Sequence, residues 1–148
     1  MKRRADLRRK APLPTRRQKG RRPRHTGPDR VTRELVLERD HYSCAHCGRS
    51  VLYGPYSLQH RVARGMGGTT DPAINRPSNL VTLCGSATSP GGCHLACEER
   101  DPAMRKLGFW VKRGINPADI PVAHAAYGWV FLMDDGTVQH PDSWGGVA

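Results

Sequence analysis

The sequence has no long apolar run. A membrane span needs about 20 consecutive apolar residues, and the longest candidate, Tyr127 to Met133, is already interrupted by Gly128. No membrane association is therefore expected. The N-terminus has charge but lacks the apolar h-region of a secretory signal. Residues 1–28 also lack serine, and Pro12, Pro14, Pro23 and Pro28 would break the amphipathic helix of a mitochondrial presequence. The expected location is intracellular. Without a secretory signal, the five cysteines favour metal binding over disulfides. Apolar content is low at 37%, which predicts a modest core of the kind that small domains reinforce with a structural metal.

Acidic residues are nearly missing from one end. Residues 1–30 hold 13 of the 24 Lys and Arg but only two of the 13 acids, Asp6 and Asp29. The remainder has 11 of each sign, so the net charge of +11 sits on the first fifth of the chain. Residues 1–28, rich in proline and like charge, read as a disordered basic arm. Such an arm would supply non-specific, salt-sensitive affinity for a polyanion.

From Asp29 the pattern changes. Asp29 is placed to cap a helix over Arg30 to Arg39, with Val31, Leu35 and Val36 or Leu37 facing inward. Leu52 to Val62 alternates as a short hairpin or strand ending at Gln59-His60. Residues 63–78 form a long Gly/Pro-punctuated loop, a length that marks function inside a compact domain. Asn79 to Cys84 reads as a buried strand. A helix is expected from Cys93 through His94 and Glu98 to about Arg100, and Pro102 should restart a second. Gly108 to Arg113 and Gly128 to His140 read as strands, the latter folded at Asp134-Asp135-Gly136 into a hairpin.

Cys44-x2-Cys47 is half of a tetrahedral zinc site, because two thiolates on one turn reach the same ion. Cys84 and Cys93 are candidates for the other half if Gly85 to Gly92 loops out between them. Cys97, one helical turn after Cys93, could replace it or be a small buried apolar residue. His94 and Glu98 are spaced to project from one helix face and share a cation. His60 is a candidate general base, since an imidazole titrates near neutrality. Arg61 and Arg64 flank it as candidate phosphate contacts. Strict strand alternation would send Gln59 and His60 to opposite faces.

Taken in order, Gln59-His60-Arg61, the Gly-rich loop, Asn79-Leu80, Leu83-Cys84 and Cys93-His94-x3-Glu98 resemble the HNH endonuclease family. Arg39-Asp40-x3-Cys44-x2-Cys47-Gly48 looks like its zinc-bearing subgroup. Gly65-Met66-Gly67-Gly68, the widened Cys84 to Cys93 loop and Gly128-Trp129…Asp134-Asp135-Gly136-Thr137 are similar to HNH proteins of tailed bacteriophages. The resemblance implies an α+β fold: a small ββα-metal (HNH, or His-Me finger) unit with a structural zinc knot and a C-terminal β-hairpin. The domain would span 29–107, with 108–148 a β extension packed on it.

The resemblance also implies DNA hydrolysis with His60 as base and Asn79 bracing its loop. Gln59, His94 and Glu98 would hold one catalytic divalent cation, and Cys44, Cys47, Cys84 and Cys93 would hold structural Zn²⁺. Two positions depart from the family pattern. Gln59 stands where His or Asp is common, and Glu98 where His is frequent. An amide, an imidazole and a carboxylate suit Mg²⁺ or Mn²⁺ better than zinc. DNA is the implied partner, with phage terminase or packaging components beside it and the host cytoplasm as location. Two other readings follow from the same residues. One is a zinc-containing nucleic-acid-binding module that has lost catalysis. The other is a basic-armed structural protein, which expects His60 and Asn79 to lie far from His94.

Overall fold

The structure is a computed structural model that describes residues 27–65, 69 and 71–141. The basic arm up to residue 26 and the loop residues Met66, Gly67 and Gly68 lie outside the described residues. Helix α1 covers Arg30–Arg39, and Asp29 caps it by accepting the Thr32 N–H at 2.7 Å. Val36 and Leu37 face the core, and Leu35 is half-buried. Val31 was expected inside but is 75% exposed, because the first turn of α1 projects beyond the body of the protein.

Strands β1, Tyr56–His60, and β2, Leu80–Cys84, form an antiparallel pair. Their register sets Tyr56 opposite Cys84 and His60 opposite Leu80. All five residues of β2 are buried, with α1 and the helix that follows β2 both packed against it. That helix, α2, is Cys93–Glu98, and it also touches β1. Helix α3, Pro102–Lys106, starts on Pro102 and is capped by Asp101, which accepts the Ala103 N–H at 2.8 Å.

A second antiparallel sheet runs in the order β3, Val122–His124, then β4, Gly128–Leu132, then β5, Val138–Gln139. The hairpin expected at Asp134-Asp135-Gly136 joins β4 to β5. Gly108 to Arg113 forms no strand. It has a single parallel bridge, Val62 to Val111, because the Gly108 carbonyl accepts from the Arg61 side chain rather than from a neighbouring strand.

One core joins both sheets. Leu37, Val81, Leu83 and Met104 pack in the same cluster as Phe109, Val122, Val130 and Leu132. The described part of 108–148 therefore shares the core of 29–107 and does not merely rest on its surface. Asp40 ties the layers together from a fully buried position. It accepts from Arg39 Nε at 2.8 Å, the Thr82 N–H at 2.7 Å and His124 Nε2 at 3.2 Å, linking α1, β2 and β3. Among the described residues, no helix is long and apolar enough to cross a membrane.

Candidate metal centre and active-site cleft

Four thiols meet where α1 gives way to the two-stranded sheet. Cys44 and Cys47 lie on a tight knuckle, in which the Gly48 N–H donates to the Cys44 carbonyl at 2.8 Å. The knuckle is fastened to β2 by the Ala45 N–H, which donates to the Thr82 carbonyl at 2.8 Å. Cys84 ends β2 and Cys93 begins α2. The intervening loop closes on itself where Gly85 and Gly92 touch. A Cβ built on Gly85, at φ +84°, would lie 3.0 Å from the Gly92 Cα, so side chains there would push the two cysteines apart.

The four Sγ atoms of Cys44, Cys47, Cys84 and Cys93 lie within 4.8 Å of one another. Two Zn–S bonds of about 2.3 Å at the tetrahedral angle separate their sulfurs by about 3.8 Å. Cys47 and Cys84 are 3.8 Å apart. Burial pushes the Cys44 and Cys93 thiols above the usual thiol range, so these groups ionise together only around a cation. The tetrad can hold a structural metal such as zinc. His46 adds a partner that the spacing alone did not reveal: its Nδ1 lies 3.3 Å from Cys93 Sγ, and its ring stands edge-on to Phe109. Cys97 is outside the cluster, buried, with its Sγ 4.0 Å from the Phe109 carbonyl.

A cleft of about 460 Å³ is lined by residues including Gln59, His60, Arg64, His94, Glu98, Arg100 and Trp110. His60 closes β1. Its Nε2 donates to Asn75 Oδ1 at 2.9 Å, which leaves Nδ1 as the basic nitrogen. Burial holds the His60 pKa below the ordinary imidazole value of 6.5; the Arg64 charge acts in the same direction, against the Asn75 hydrogen bond. The ring is therefore neutral at pH 7.

Asn79 sits beside His60 because of the β1–β2 register, but it does not touch the ring. Its Oδ1 accepts the Val62 N–H at 2.7 Å, and its Nδ2 donates to the Val62 and Ile74 carbonyls at 3.2 and 2.8 Å. It pins the backbone just after His60 to the short turn Pro72–Asn75 that carries Asn75. Asn75 is the residue that orients the imidazole. Nothing in its setting of Gly/Pro loop residues distinguishes it before the chain is folded.

Neither a family model, nor a curated protein, nor a solved structure matches this chain.

The remaining cleft residues come from α2 and from β1. His94 Nε2 and Glu98 Oε1 are 3.8 Å apart. That is too far for a hydrogen bond but within the span of two ligand bonds of about 2.1 Å to one cation. Among the described residues, His94 Nδ1 is buried without a hydrogen-bond partner. Gln59 lines the cleft together with His60, so the two do not separate to opposite faces. His60 is the last residue of the strand, and the chain turns there. Gln59 Nε2 donates to the His60 carbonyl at 3.1 Å, which leaves the amide oxygen as the atom it can offer a cation. Among the described residues, the cysteine tetrad is the one group of three or more His, Cys, Asp or Glu side chains with metal-binding geometry. The cleft offers one imidazole, one carboxylate and one amide.

The two arginines expected at phosphate part company. Arg64 lines the cleft. Arg61 does not, and its assignment as a nucleic-acid contact is corrected. It is 0% exposed, and its guanidinium donates to four backbone carbonyls. These are Gly108 at 2.8 Å, Ser78 at 3.2 Å, Pro117 at 2.9 Å and Ile120 at 2.6 Å. It follows the turn at His60 into the interior, where it is the buried hub of the loops around β2. A purely structural zinc protein expects both His60 and Asn79 far from His94; His60 and His94 instead line one cleft, while Asn79 lines a separate hollow with Val62 and Ile74.

Proposed function

We propose that the chain is a metal-dependent HNH-type endonuclease that hydrolyses DNA phosphodiester bonds, with β1, β2 and α2 forming its ββα-metal unit. The observation that carries the proposal is the convergence of two groups on one cleft, a neutral, oriented imidazole on β1 and a His–Glu pair on α2. Asn79 supports the first from outside the cleft, by tying down the backbone just after His60.

In this reading His60 Nδ1 takes a proton from the attacking water, and Asn75 holds Nε2–H so that the tautomer is defined. Arg64 steadies the phosphate in line with that water. A divalent cation, Mg²⁺ or Mn²⁺, held by His94, Glu98 and the Gln59 amide oxygen would neutralise charge on the non-bridging and leaving oxygens. Asn79 keeps the base and its orienting residue at fixed separation. The zinc tetrad, fastened to both β2 and α2, holds the helix against the sheet. The resemblance to tailed-phage proteins extends the proposal to DNA processing or packaging beside terminase components.

Supercoiled plasmid incubated with zinc-loaded protein and added Mg²⁺ or Mn²⁺ tests the proposal. Nicking should require the added cation and fall by a factor of about 10² or more in His60→Ala. Equal nicking by the two proteins would remove His60 from the mechanism. A second reading, a nucleic-acid-binding module without chemistry, is favoured by one observation: Glu98 is the only anionic side chain among the described residues lining the cleft. DNA binding without nicking, with nicking restored in Gln59→His, would select it.

A further inference from the structure

Helix α2 ends on a residue that is expensive for the fold. The Asp101 N–H donates to the Ala96 carbonyl at 3.0 Å and the Arg100 N–H to the Cys97 carbonyl at 3.1 Å, the paired bonds of a Schellman turn. The left-handed position of such a turn is normally glycine, because a Cβ is strained there. Here it is Arg100, at φ +58°. Any benefit to folding from that side chain is hard to find. It is exposed, and among the described residues its guanidinium has no hydrogen bond or salt bridge.

The same residue lines the cleft with His60, His94 and Glu98. Together with Arg64 it makes the lining cationic despite Glu98, although residues 31–148 are formally neutral. Left-handed non-glycine residues concentrate where function outweighs strain. A guanidinium on such a wall is suited to bidentate capture of a phosphate.

We propose that Arg100 is a phosphate-binding residue, taking a backbone phosphate of the nucleic-acid strand that neighbours the one at His60. The proposal rests on the cleft being a phosphodiester site, and it adds to Arg64 a second anchor, from the end of α2. The sharp turn after Glu98 places the arginine in the cleft lining, two residues on from Glu98. A right-handed residue there could not make the turn.

The test uses the full-length, zinc-loaded protein as wild type, Arg100→Gly and Arg100→Lys. Melting temperature, binding of a fluorescent DNA duplex of about 20 base pairs without added divalent cation, and Mg²⁺-dependent plasmid nicking are measured on each. Arg100→Gly should melt at or a few degrees above wild type, since glycine removes the strain. It should bind the duplex about tenfold more weakly, and the slope of log Kd against log salt should fall by about 0.9, one phosphate contact. Arg100→Lys should keep the slope and lose part of the affinity.

Unchanged affinity and slope in Arg100→Gly would overturn the assignment, as would a lower melting temperature, which would make Arg100 a folding residue. If wild type fails to nick but Arg100→Gly still loses the slope, the nuclease reading falls and the phosphate contact stands. If wild type binds no duplex, both fall.

Discussion

Replacing Arg61 by alanine separates two roles that predict different losses. A phosphate contact beside the base should cost DNA affinity and leave the fold intact. The buried position predicts the opposite. Four carbonyls, those of Ser78, Gly108, Pro117 and Ile120, take their hydrogen bonds from this one guanidinium. Leaving a buried acceptor unpaired costs about 1 kcal/mol or more; the Gly108 and Ser78 carbonyls are buried, while those of Pro117 and Ile120 are half-buried and cost less, so the four amount to about 3 kcal/mol. Removing the side chain also opens a void among Gly108, Ser78 and the turn at Pro117–Asp119.

An opposing effect reduces the loss. The charge is costly where it lies, since burial and the nearby Arg39 guanidinium pull the Arg61 pKa below the normal arginine range. The net expectation is about 2–3 kcal/mol, a sizeable part of the 5–15 kcal/mol that typically holds a domain together. For a domain of this size that is a fall in melting temperature of about 6–10 °C. Thermal and urea unfolding of zinc-loaded Arg61→Ala, Arg61→Lys and wild type measure it. Arg61→Lys should be intermediate, because an ammonium keeps the charge but cannot reach all four carbonyls. An Arg61→Ala protein that melts within about 3 °C of wild type and loses DNA affinity would refute the structural role and reinstate the phosphate contact.

Metal analysis should find one tetrathiolate-bound zinc per chain; Cys84→Ser and Cys93→Ser should lose it along with the native fold, while Cys97→Ala keeps it. A fully loaded Cys84→Ser protein would break the proposed ligand set. The acid limb of the nicking rate should have its midpoint below 6.5, because the buried His60 ring protonates only at lower pH than an ordinary imidazole. The same shift has a stability consequence. The unfolded chain takes the proton first, so wild type should lose stability relative to His60→Gln as pH falls through 6.5. A gap between the two proteins that is constant from pH 8 to pH 5 would contradict it. Asp40→Asn should cost about 3 kcal/mol in urea unfolding at pH 7, since an amide cannot accept all of the bonds the carboxylate receives. Burial alone would raise the Asp40 pKa, but Arg39, His124 and the Thr82 N–H hold it below 3.8. Its carboxylate should therefore still be ionised at pH 5, and a cost that vanishes between pH 7 and pH 5 would count against the network.

Much of the framework was legible before folding. Arg30–Arg39 starts at its Asp29 cap and a helix restarts at Pro102, as the cap and the proline predict, and the helix expected near Cys93 begins there. The hairpin at Asp134-Asp135-Gly136 is also in place. These are local signals, set by φ/ψ preference and hydrogen bonds between residues close in the chain. The cysteine set was legible for a related reason: thiols paired on a turn have few other uses in such a chain.

The failures share a cause as well. Val31 has the right helical spacing, but nothing local says where the body of the protein ends. Gly108 to Arg113 has strand composition, yet its carbonyl goes to a side chain 47 residues away. Arg61 is polar and adjacent to His60, the proposed base, so proximity in sequence favoured the surface. Its partners at 78, 108, 117 and 120 exist only once four loops have converged. Asn75 and Arg100 were passed over because an asparagine in a loop and an arginine after a helix are ordinary in composition. Only their contacts and backbone conformation set them apart.

Sequence alone was sufficient for the charge division, the helix starts, the Cys44-x2-Cys47 half-site and the ordered set of polar residues from Gln59 to Glu98, since each is written in neighbouring residues; that Cys93 and not Cys97 completes the thiol cluster was decided by the fold. Tertiary structure decided which of those polar residues face the cleft. The β1–β2 register brings Asn79 alongside His60, the Asn79 amide carries Asn75 to the ring, and the tight Gly85–Gly92 contact sets α2 where His94 and Glu98 reach the same space. A burial direction is a property of the packed whole. That is why one of two neighbouring arginines became the centre of the loops while the other stayed at the cleft.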